Sequence, residues 1–138
     1  MRNQRGYERG ATLVEGAITI LLFFTLILAN IEFGRAYNQY QVMTDAAREG
    51  ARFSVAPFSG TNTLPTTTAV QAEVQRFLDS AGVRGATISV TQNVTATINN
   101  VPVTHTQVTV NAPYTFFFFR FGSVGLSTTA TMRNETSP

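Results

Sequence analysis

The sequence predicts an α+β fold with a long N-terminal helix, a short second helix and a three-stranded antiparallel β-meander. Three observations predict it. An apolar run near the N-terminus passes into a segment of helical periodicity, which Pro57 and Gly60 end. A shorter stretch of helical period follows the next loop. Beyond Thr87, apolar residues alternate with threonines, which is the two-residue period of β-strands.

These patterns divide the chain into four segments. We expect a basic leader at 1–10 and a long helix at 11–56, with a transmembrane segment at about 13–31. Residues 57–68, rich in Thr, Gly and Pro, are predicted to be a linker. Residues 69–138 then form a small α+β outer domain.

The composition excludes several kinds of chemistry. The chain has 138 residues, no cysteine and one histidine, His105. Disulfides, thiolate metal sites and a cysteine nucleophile are therefore excluded. His105 lies among threonines, without the second histidine or the carboxylate that a metal site or a catalytic triad needs. We therefore predict no enzyme, no catalytic, cofactor-binding or metal site, and no small-molecule substrate.

The net positive charge of the chain lies in its first ten residues. Three arginines against Glu8 give the first ten residues a charge of +2, and the other 128 residues hold seven arginines and seven acids. Nucleic-acid binding needs a basic surface on the folded domain, so no nucleic-acid partner is expected. Arginines before an apolar run instead place the N-terminus in the cytoplasm.

The apolar run is long enough to cross a membrane. Residues 17–31, AITILLFFTLILANI, are interrupted only by Thr19, Thr25 and Asn30. A bilayer core needs about 20 helical residues. No small-x-small cleavage site follows the run, so it is predicted to be a retained helix and not a secretory signal. The chain would be a single-pass protein of the inner (cytoplasmic) membrane, with its C-terminal domain periplasmic or extracellular.

The junction around Gly10 carries a more specific signal. A basic leader, Gly10 and an apolar helix with Glu15 at its fifth position together resemble the processing site of type IV pilins and pseudopilins. The resemblance implies that a prepilin peptidase cuts between Gly10 and Ala11. It also implies that Glu15 then pairs with the new N-terminal amine of a neighbouring subunit. Without the resemblance, Glu15 could equally be a carboxylate that snorkels to the headgroups.

Two further phrases narrow the resemblance. IEFGRAYNQYQ (31–41) and TDAAREGARF (44–53) are similar to the TadE-like family of minor pilins or pseudopilins of tight-adherence systems. That family has a long helix followed by a small sheet, whose end resembles TATMRNE (129–135) more weakly. The small residues Ala46, Ala47, Gly50 and Ala51 predict close contact with the sheet or with a partner.

Local signals place the elements of the outer domain. Thr68 and Gln71 fit a capping box at the start of the short helix, and Gly82 ends that helix. Asn99-Asn100 is predicted to be a two-residue hairpin turn. Along the second strand the apolar residues change from odd-numbered to even-numbered positions, which predicts a β-bulge near 104–107.

Aromatic residues are expected to complete the core. We expect the sheet to pack on the second half of the long helix and to bury Tyr37, Tyr40 and Met43. Phe116–Phe119 and Phe121 are predicted to belong to the same core. Five phenylalanines in six positions exceed what one core face needs, so a membrane-touching loop or a subunit contact is the alternative.

The sequence therefore predicts a membrane-anchored minor pilin or pseudopilin that contributes to assembly of a tight-adherence pilus or secretion apparatus. Its expected partners are the membrane, the prepilin peptidase and other pilin or pilus-machinery subunits. Two alternatives remain open. The chain could be an uncleaved bitopic scaffold of the same machinery, or an accessory binding module whose helix is only an anchor.

Overall fold

The computed structural model describes residues 4–57, 63–98, 101–118 and 122–134. In these ranges the chain forms two helices, α1 (Gln4–Val55) and α2 (Thr67–Ser80), followed by a sheet. The sheet consists of strands β1 (Thr87–Ile98), β2 (Val101–Thr115) and β3 (Ser123–Arg133). The strands are antiparallel and lie in the order β1-β2-β3. The predicted α+β architecture is confirmed.

The chain divides into two compact units, Met1–Arg35 and Ala36–Pro138. The first unit contains the apolar part of α1, whose described large apolar side chains are exposed except for the half-buried Leu28. The second unit contains the remainder of α1, α2 and the sheet, and it holds the hydrophobic core. Because α1 contributes to both, one helix supplies an exposed apolar surface in the first unit and part of the core in the second.

Small residues let α1 pack closely in the second unit. Ala46, Ala47 and Ala51 are fully buried against α2 and one face of the sheet. At Gly50 the approach is closer still, because a Cβ atom there would overlap Cγ2 of Val74 in α2. The predicted close contact of these small residues with the sheet is confirmed, and it extends to α2. The buried core consists of Met43, Ala46, Ala47, Ala51, Val70, Val74, Leu78, Val83, Val108, Val110 and Ala112.

The expected burial of the two helix tyrosines is wrong. Met43 is fully buried as predicted, but Tyr37 is 55% exposed and Tyr40 is 41% exposed. The tyrosine hydroxyl at 37 instead accepts a hydrogen bond of 2.6 Å from Nε2 of Gln41. The core-facing stripe begins at Met43 and continues through the small residues, so the tyrosines lie on a neighbouring face of the helix.

Helix α2 begins two residues earlier than the predicted capping box. Thr66 is the N-cap, and its hydroxyl accepts a hydrogen bond of 3.3 Å from the backbone N–H of Ala69. Gln71 does not complete a capping box; its Nε2 donates to the carbonyl oxygen of Ile88 in β1 at 3.2 Å. This bond ties α2 to the sheet. Gly82, with φ of 76°, follows the end of the helix as expected.

The predicted bulge lies at the expected level of the sheet but in the other strand. Gln92 and Asn93 of β1 together stand opposite Thr106, within the range 104–107 where the bulge was placed in β2. Asn93 has φ of 58°, a left-handed conformation that Asn tolerates better than most residues. The extra residue therefore belongs to β1. The predicted turn at Asn99-Asn100 lies outside the described residues.

A buried polar network closes the bulge. The hydroxyl of Thr106 donates to Oδ1 of Asn134 at 3.0 Å, and Nδ2 of Asn134 donates to Oδ1 of Asn93 at 3.0 Å. The backbone N–H of Asn134 also donates to the carbonyl oxygen of Thr104 at 3.0 Å. Thr106 and Asn134 are both buried, so these bonds satisfy groups that water cannot reach. The network links all three strands through the residue that follows β3.

The phenylalanines after β2 divide between the interior and the surface. Phe116 is half-buried and meets the buried Tyr114 edge to face, with ring centroids 5.4 Å apart. Phe117 is 67% exposed and Phe118 is 42% exposed, so their predicted place in the core is wrong. Phe119 and Phe121, which were predicted to belong to the same core, lie outside the described residues. The core ends at Tyr114 and Phe116 because the chain turns away there toward β3.

Candidate assembly segment of the N-terminal helix

The N-terminal part of α1 presents an apolar surface on all sides. The stretch Gly10–Val55 is long and apolar enough to cross a membrane, with a mean hydropathy of 2.2 over an 18-residue window of which none is buried. A core helix of a soluble protein would bury such a window. The exposed apolar residues are Leu13, Val14, Ile18, Ile20, Leu21, Leu22, Phe23, Phe24, Leu26, Ile27 and Ile31.

The hydroxyl groups of the threonines inside this stretch donate hydrogen bonds to backbone carbonyl oxygens of the same helix. The hydroxyl of Thr19 donates to the carbonyl oxygen of Glu15 at 2.9 Å, and that of Thr25 donates to the carbonyl oxygen of Leu21 at 2.8 Å. In a bilayer core each hydroxyl would otherwise lack a partner. These two residues therefore do not oppose insertion in the way that a charged group does.

Glu15 has a different environment. Its side chain is exposed on the apolar part of α1, and no ion pair or side-chain hydrogen bond to it occurs among the described residues. Ala11 lies one turn earlier, so the two positions share a helix face. In lipid, a carboxylate in this position is costly unless it reaches the headgroups or pairs with a positively charged group.

The residues around Glu15 leave room for another helix. A Cβ atom at Gly10 or Gly16 would meet nothing within 4 Å. Small side chains allow the backbones of two membrane helices to approach closely, which is how such helices associate in lipid. Helix α1 continues through the Gly10–Ala11 junction, because it begins at Gln4.

The sequence does not reveal the environment of Glu32, which follows the apolar run. It is only 3% exposed, and its Oε2 lies 3.8 Å from Nη1 of Arg35. The spacing to Arg35 makes an ion pair foreseeable. The burial was not foreseeable, because a carboxylate next to an amphipathic helix segment usually faces water.

Exposed ion pairs cover the outer face of α1 in the second unit. Arg52 donates two hydrogen bonds to Glu49, at 2.9 and 2.6 Å, and these bonds lower the pKa of the Glu49 carboxyl below its ordinary value of 4.5. The same contact raises the pKa of Arg52. Asp45 and Arg48 form a looser pair at 3.8 Å. This face is therefore solvated, unlike the apolar surface of residues 13–31.

The ion pairs line one wall of an open groove in the second unit. The groove has a volume of about 780 Å³ and runs between α1 and β3. Its lining includes Tyr40, Phe77 and Met132 beside the charged residues. Among the residues that the structure describes, no cluster of three His, Cys, Asp or Glu side chains could hold a metal ion.

Residues 10–52 match the model of a family described as TadE-like protein. The long helix is therefore similar to this family over most of its length. The resemblance recognised in the sequence is thus confirmed over this range, which starts at Gly10 and includes Glu15. No curated protein and no solved structure matches the chain. The match ends before the linker, so the resemblance of 129–135 to the family's C-terminal end stays a prediction.

The family that residues 10–52 match consists of proteins associated with tight-adherence pili. The family is structural and is not known to be enzymatic. The match and the exposed apolar surface of α1 are both typical of a membrane anchor in a pilus system.

Proposed function

We propose that this chain is a TadE-like minor pilin or pseudopilin that is cut after Gly10 and assembles through its N-terminal helix into or beneath a tight-adherence pilus. The observation that carries the proposal is the position of Glu15. It is the only charged residue between Arg9 and Glu32, it lies within the family match, and it has no described partner. The proposed location is the inner membrane, with the N-terminus in the cytoplasm and the sheet outside.

Cleavage would supply the missing partner. A cut between Gly10 and Ala11 creates an ammonium group one helical turn from Glu15. In a medium of low dielectric, an ammonium and a carboxylate on neighbouring subunits attract each other more strongly than in water. Each group is costly alone, so pairing fixes the axial register of one helix against the next.

One observation favours the alternative of an uncleaved bitopic scaffold. Helix α1 runs through the Gly10–Ala11 junction without a break, and a peptidase has to reach the peptide bond between those residues. Gly10 reduces this obstacle, since glycine destabilises a helix interior by about 1 kcal/mol relative to alanine. The accessory binding module, in turn, would use the groove between α1 and β3.

The cleavage is tested by intact mass and N-terminal sequencing of the protein from native membranes, with and without the prepilin peptidase. We expect loss of the first ten residues and a new N-terminus at Ala11 only when the peptidase is present. Gly10→Val should block the cut, and Gly6→Val in the leader is the matched control that should leave it intact. A full-length chain in peptidase-containing cells would favour the scaffold.

The role of Glu15 is tested separately from the cut. Glu15→Gln removes the charge at nearly constant size, so we expect normal insertion and processing but impaired incorporation into the assembly. Glu73→Gln, on the surface of α2, is the matched control and should assemble normally. Normal assembly of the Glu15→Gln variant would show that the carboxylate does not set the register of the subunits.

A further inference from the structure

Strands β1 and β3 are the two edges of the sheet, and only β1 carries protection. It contains the bulge at Gln92–Asn93, and its backbone carbonyl at Ile88 accepts the hydrogen bond from Gln71 of α2. β3 pairs with β2 along its whole length without a bulge, contains no proline and has Arg133 as its only charged residue. Bulges, prolines and charges normally stop an edge strand from pairing with another chain. The edge of β3 therefore lacks the usual features that prevent such pairing.

The hydrogen-bonding register shows which backbone groups of β3 face outward. The N–H of Asn134 donates to the carbonyl oxygen of Thr104, one step beyond the last β2–β3 pair, so even-numbered residues of this strand bond to β2. Odd-numbered residues then direct their N–H and C=O groups away from β2. The hydroxyls of Thr109 and Thr129 lie 3.0 Å apart, which agrees because side chains are closest in pairs without backbone hydrogen bonds.

The free edge of β3 is formed by the backbone groups of Ser127, Thr129 and Thr131. Among the described residues, no hydrogen bond reaches these outward-facing groups. A row of donors and acceptors at this spacing is matched by the backbone of another extended chain.

The groove between α1 and β3 lies along this free edge. Consecutive residues of β3, Thr128–Met132, line it, and consecutive residues of a strand point to opposite faces of the sheet. The groove therefore follows the edge of the strand and does not lie over one face. Its other wall is α1, which approaches β3 where the hydroxyls of Thr44 and Thr128 lie 3.2 Å apart. Addition of an extended peptide to an exposed sheet edge is a common mode of recognition.

The helix wall of the groove supplies a cation. Arg48 lies one turn after Thr44, and its Nη1 is 3.8 Å from Oδ1 of Asp45, which is beyond hydrogen-bond distance. Arg52, by contrast, donates two hydrogen bonds to Glu49. The guanidinium of Arg48 can therefore pair with an acidic side chain without breaking a hydrogen bond. Strands β1, β2 and β3 contain no Asp or Glu, so a strand from a second copy would not supply that acid.

We propose that the outer edge of β3 is a docking site for an extended segment of another protein, which adds to the sheet as a fourth strand. The backbone of the segment bonds to the outward-facing groups of β3. On the side of α1, the segment carries an acidic side chain toward Arg48 and apolar side chains toward Tyr40 and Met132. All the residues that carry this inference lie in the second unit, so it is independent of the proposed cleavage and of the membrane anchor.

The backbone contact is tested with the full-length chain in detergent micelles. The probe is a fluorescent peptide of alternating valine and threonine in which glutamate replaces the central valine, and fluorescence anisotropy measures its dissociation constant. We expect saturable binding. Thr129→Pro removes an outward N–H but no bond to β2, and an edge strand tolerates proline at such a position. The affinity should therefore fall about tenfold. Thr129→Val keeps the N–H and is the matched control, which should bind as the native chain does.

The role of the charge is tested with a second peptide in which glutamine replaces the central glutamate. Arg48→Gln should weaken binding of the glutamate peptide about two- to fivefold, the range for an exposed ion pair. It should leave binding of the glutamine peptide unchanged. Equal weakening of both peptides would show that Arg48 does not recognise an acidic side chain, and would overturn the acidic part of the proposal.

Amide hydrogen exchange of the native chain tests the same contact without a variant. The glutamate peptide should slow exchange at the outward-facing N–H groups of Thr129 and Thr131 and leave exchange in β1 unchanged. Absence of binding, or unchanged exchange at these two groups, would overturn the docking site. Self-association of the native chain in micelles that Thr129→Pro abolishes would show that a second copy covers the edge, and it would overturn the assignment to another protein.

Discussion

The two parts of helix α1 have the same backbone conformation and opposite surfaces. Residues 13–31 expose large apolar side chains on every side, whereas from Met43 onward the helix buries one stripe of mostly small residues and exposes paired charges on the other face. In the first part, apolar side chains lie on every face of the helix, so this part suits a uniform apolar solvent. In the second part, only one face of the helix is apolar, and the sheet and α2 pack against that face.

The difference shows that side-chain size serves different purposes in the two parts. In the first, which we propose to be the anchor, large residues would contact lipid, and the small residues Gly10 and Gly16 would leave space for a neighbouring helix. In the second, small residues bring the helix backbone close to Val74 and the sheet. Substitutions that are equivalent in chemistry should therefore have different effects in the two parts.

The largest effect is expected from Met43→Ala. Met43 is fully buried at the start of the core-facing stripe, and truncation of a buried methionine costs about 2–5 kcal/mol. The free energy of unfolding of the second unit, measured by urea titration in detergent, should fall by that amount. Leu13→Ala, a comparable truncation in the exposed apolar part, should leave it unchanged. Equal losses would mean that the two parts of α1 are one packed unit.

A charge in the middle of the apolar run should have the next largest effect. Leu22→Arg places a cation where insertion costs about 2.5–3.5 kcal/mol, which lowers the ratio of inserted to non-inserted chain about 100-fold. Asn38→Arg introduces the same charge at an exposed position of the second unit and should insert normally. The measurement is resistance to alkaline extraction from membranes. Normal insertion of the Leu22→Arg variant would contradict the assignment of a span.

Two glycine substitutions on the same helix should change the stability of the second unit differently. Gly50→Ala introduces a methyl group that overlaps Val74, and the overpacking cost of about 1–3 kcal/mol exceeds the gain in helix propensity of about 1 kcal/mol. The melting temperature of the second unit should fall. Gly34→Ala meets nothing within 4 Å, so it should be neutral or stabilising. Destabilisation by both would indicate a common effect on the helix and not a clash.

The smallest effect concerns the ion pair of Glu49 and Arg52. The pKa of Glu49 is lowered in the folded state, so its contribution to stability is complete above its ordinary pKa of 4.5 and is lost as the pH falls through the folded-state pKa. Arg52→Gln should therefore be slightly less stable than the native chain at neutral pH. The difference should disappear in acid. A difference that persists there would assign the effect to packing of the arginine stem.

The fold was predictable because its periodicities are local. The 3.6-residue and two-residue patterns, which determine the order of elements, need no knowledge of tertiary contacts. The wrong predictions concern features that depend on tertiary contacts. Either strand of a pair can hold the extra residue of a bulge, and three consecutive threonines, Thr66–Thr68, are equivalent N-cap candidates until packing selects one.

The candidate site shows the same limit. Gly10 and Glu15 are recognisable because both lie within one short segment of sequence. The burial of Glu32 and the exposure of Phe117 depend on tertiary contacts, which no local pattern encodes. The network around Asn134 was missed for the same reason, because its partners lie 28 and 41 residues away along the chain.

Asn134 also constrains the timing of folding. Because the chain is synthesised from its N-terminus, β1 and β2 are made before β3, so Asn93 and Thr106 precede the amide that bonds them both. The bonds that close the bulge can therefore form only after β3 has been made, which makes their formation a late step in the folding of the second unit.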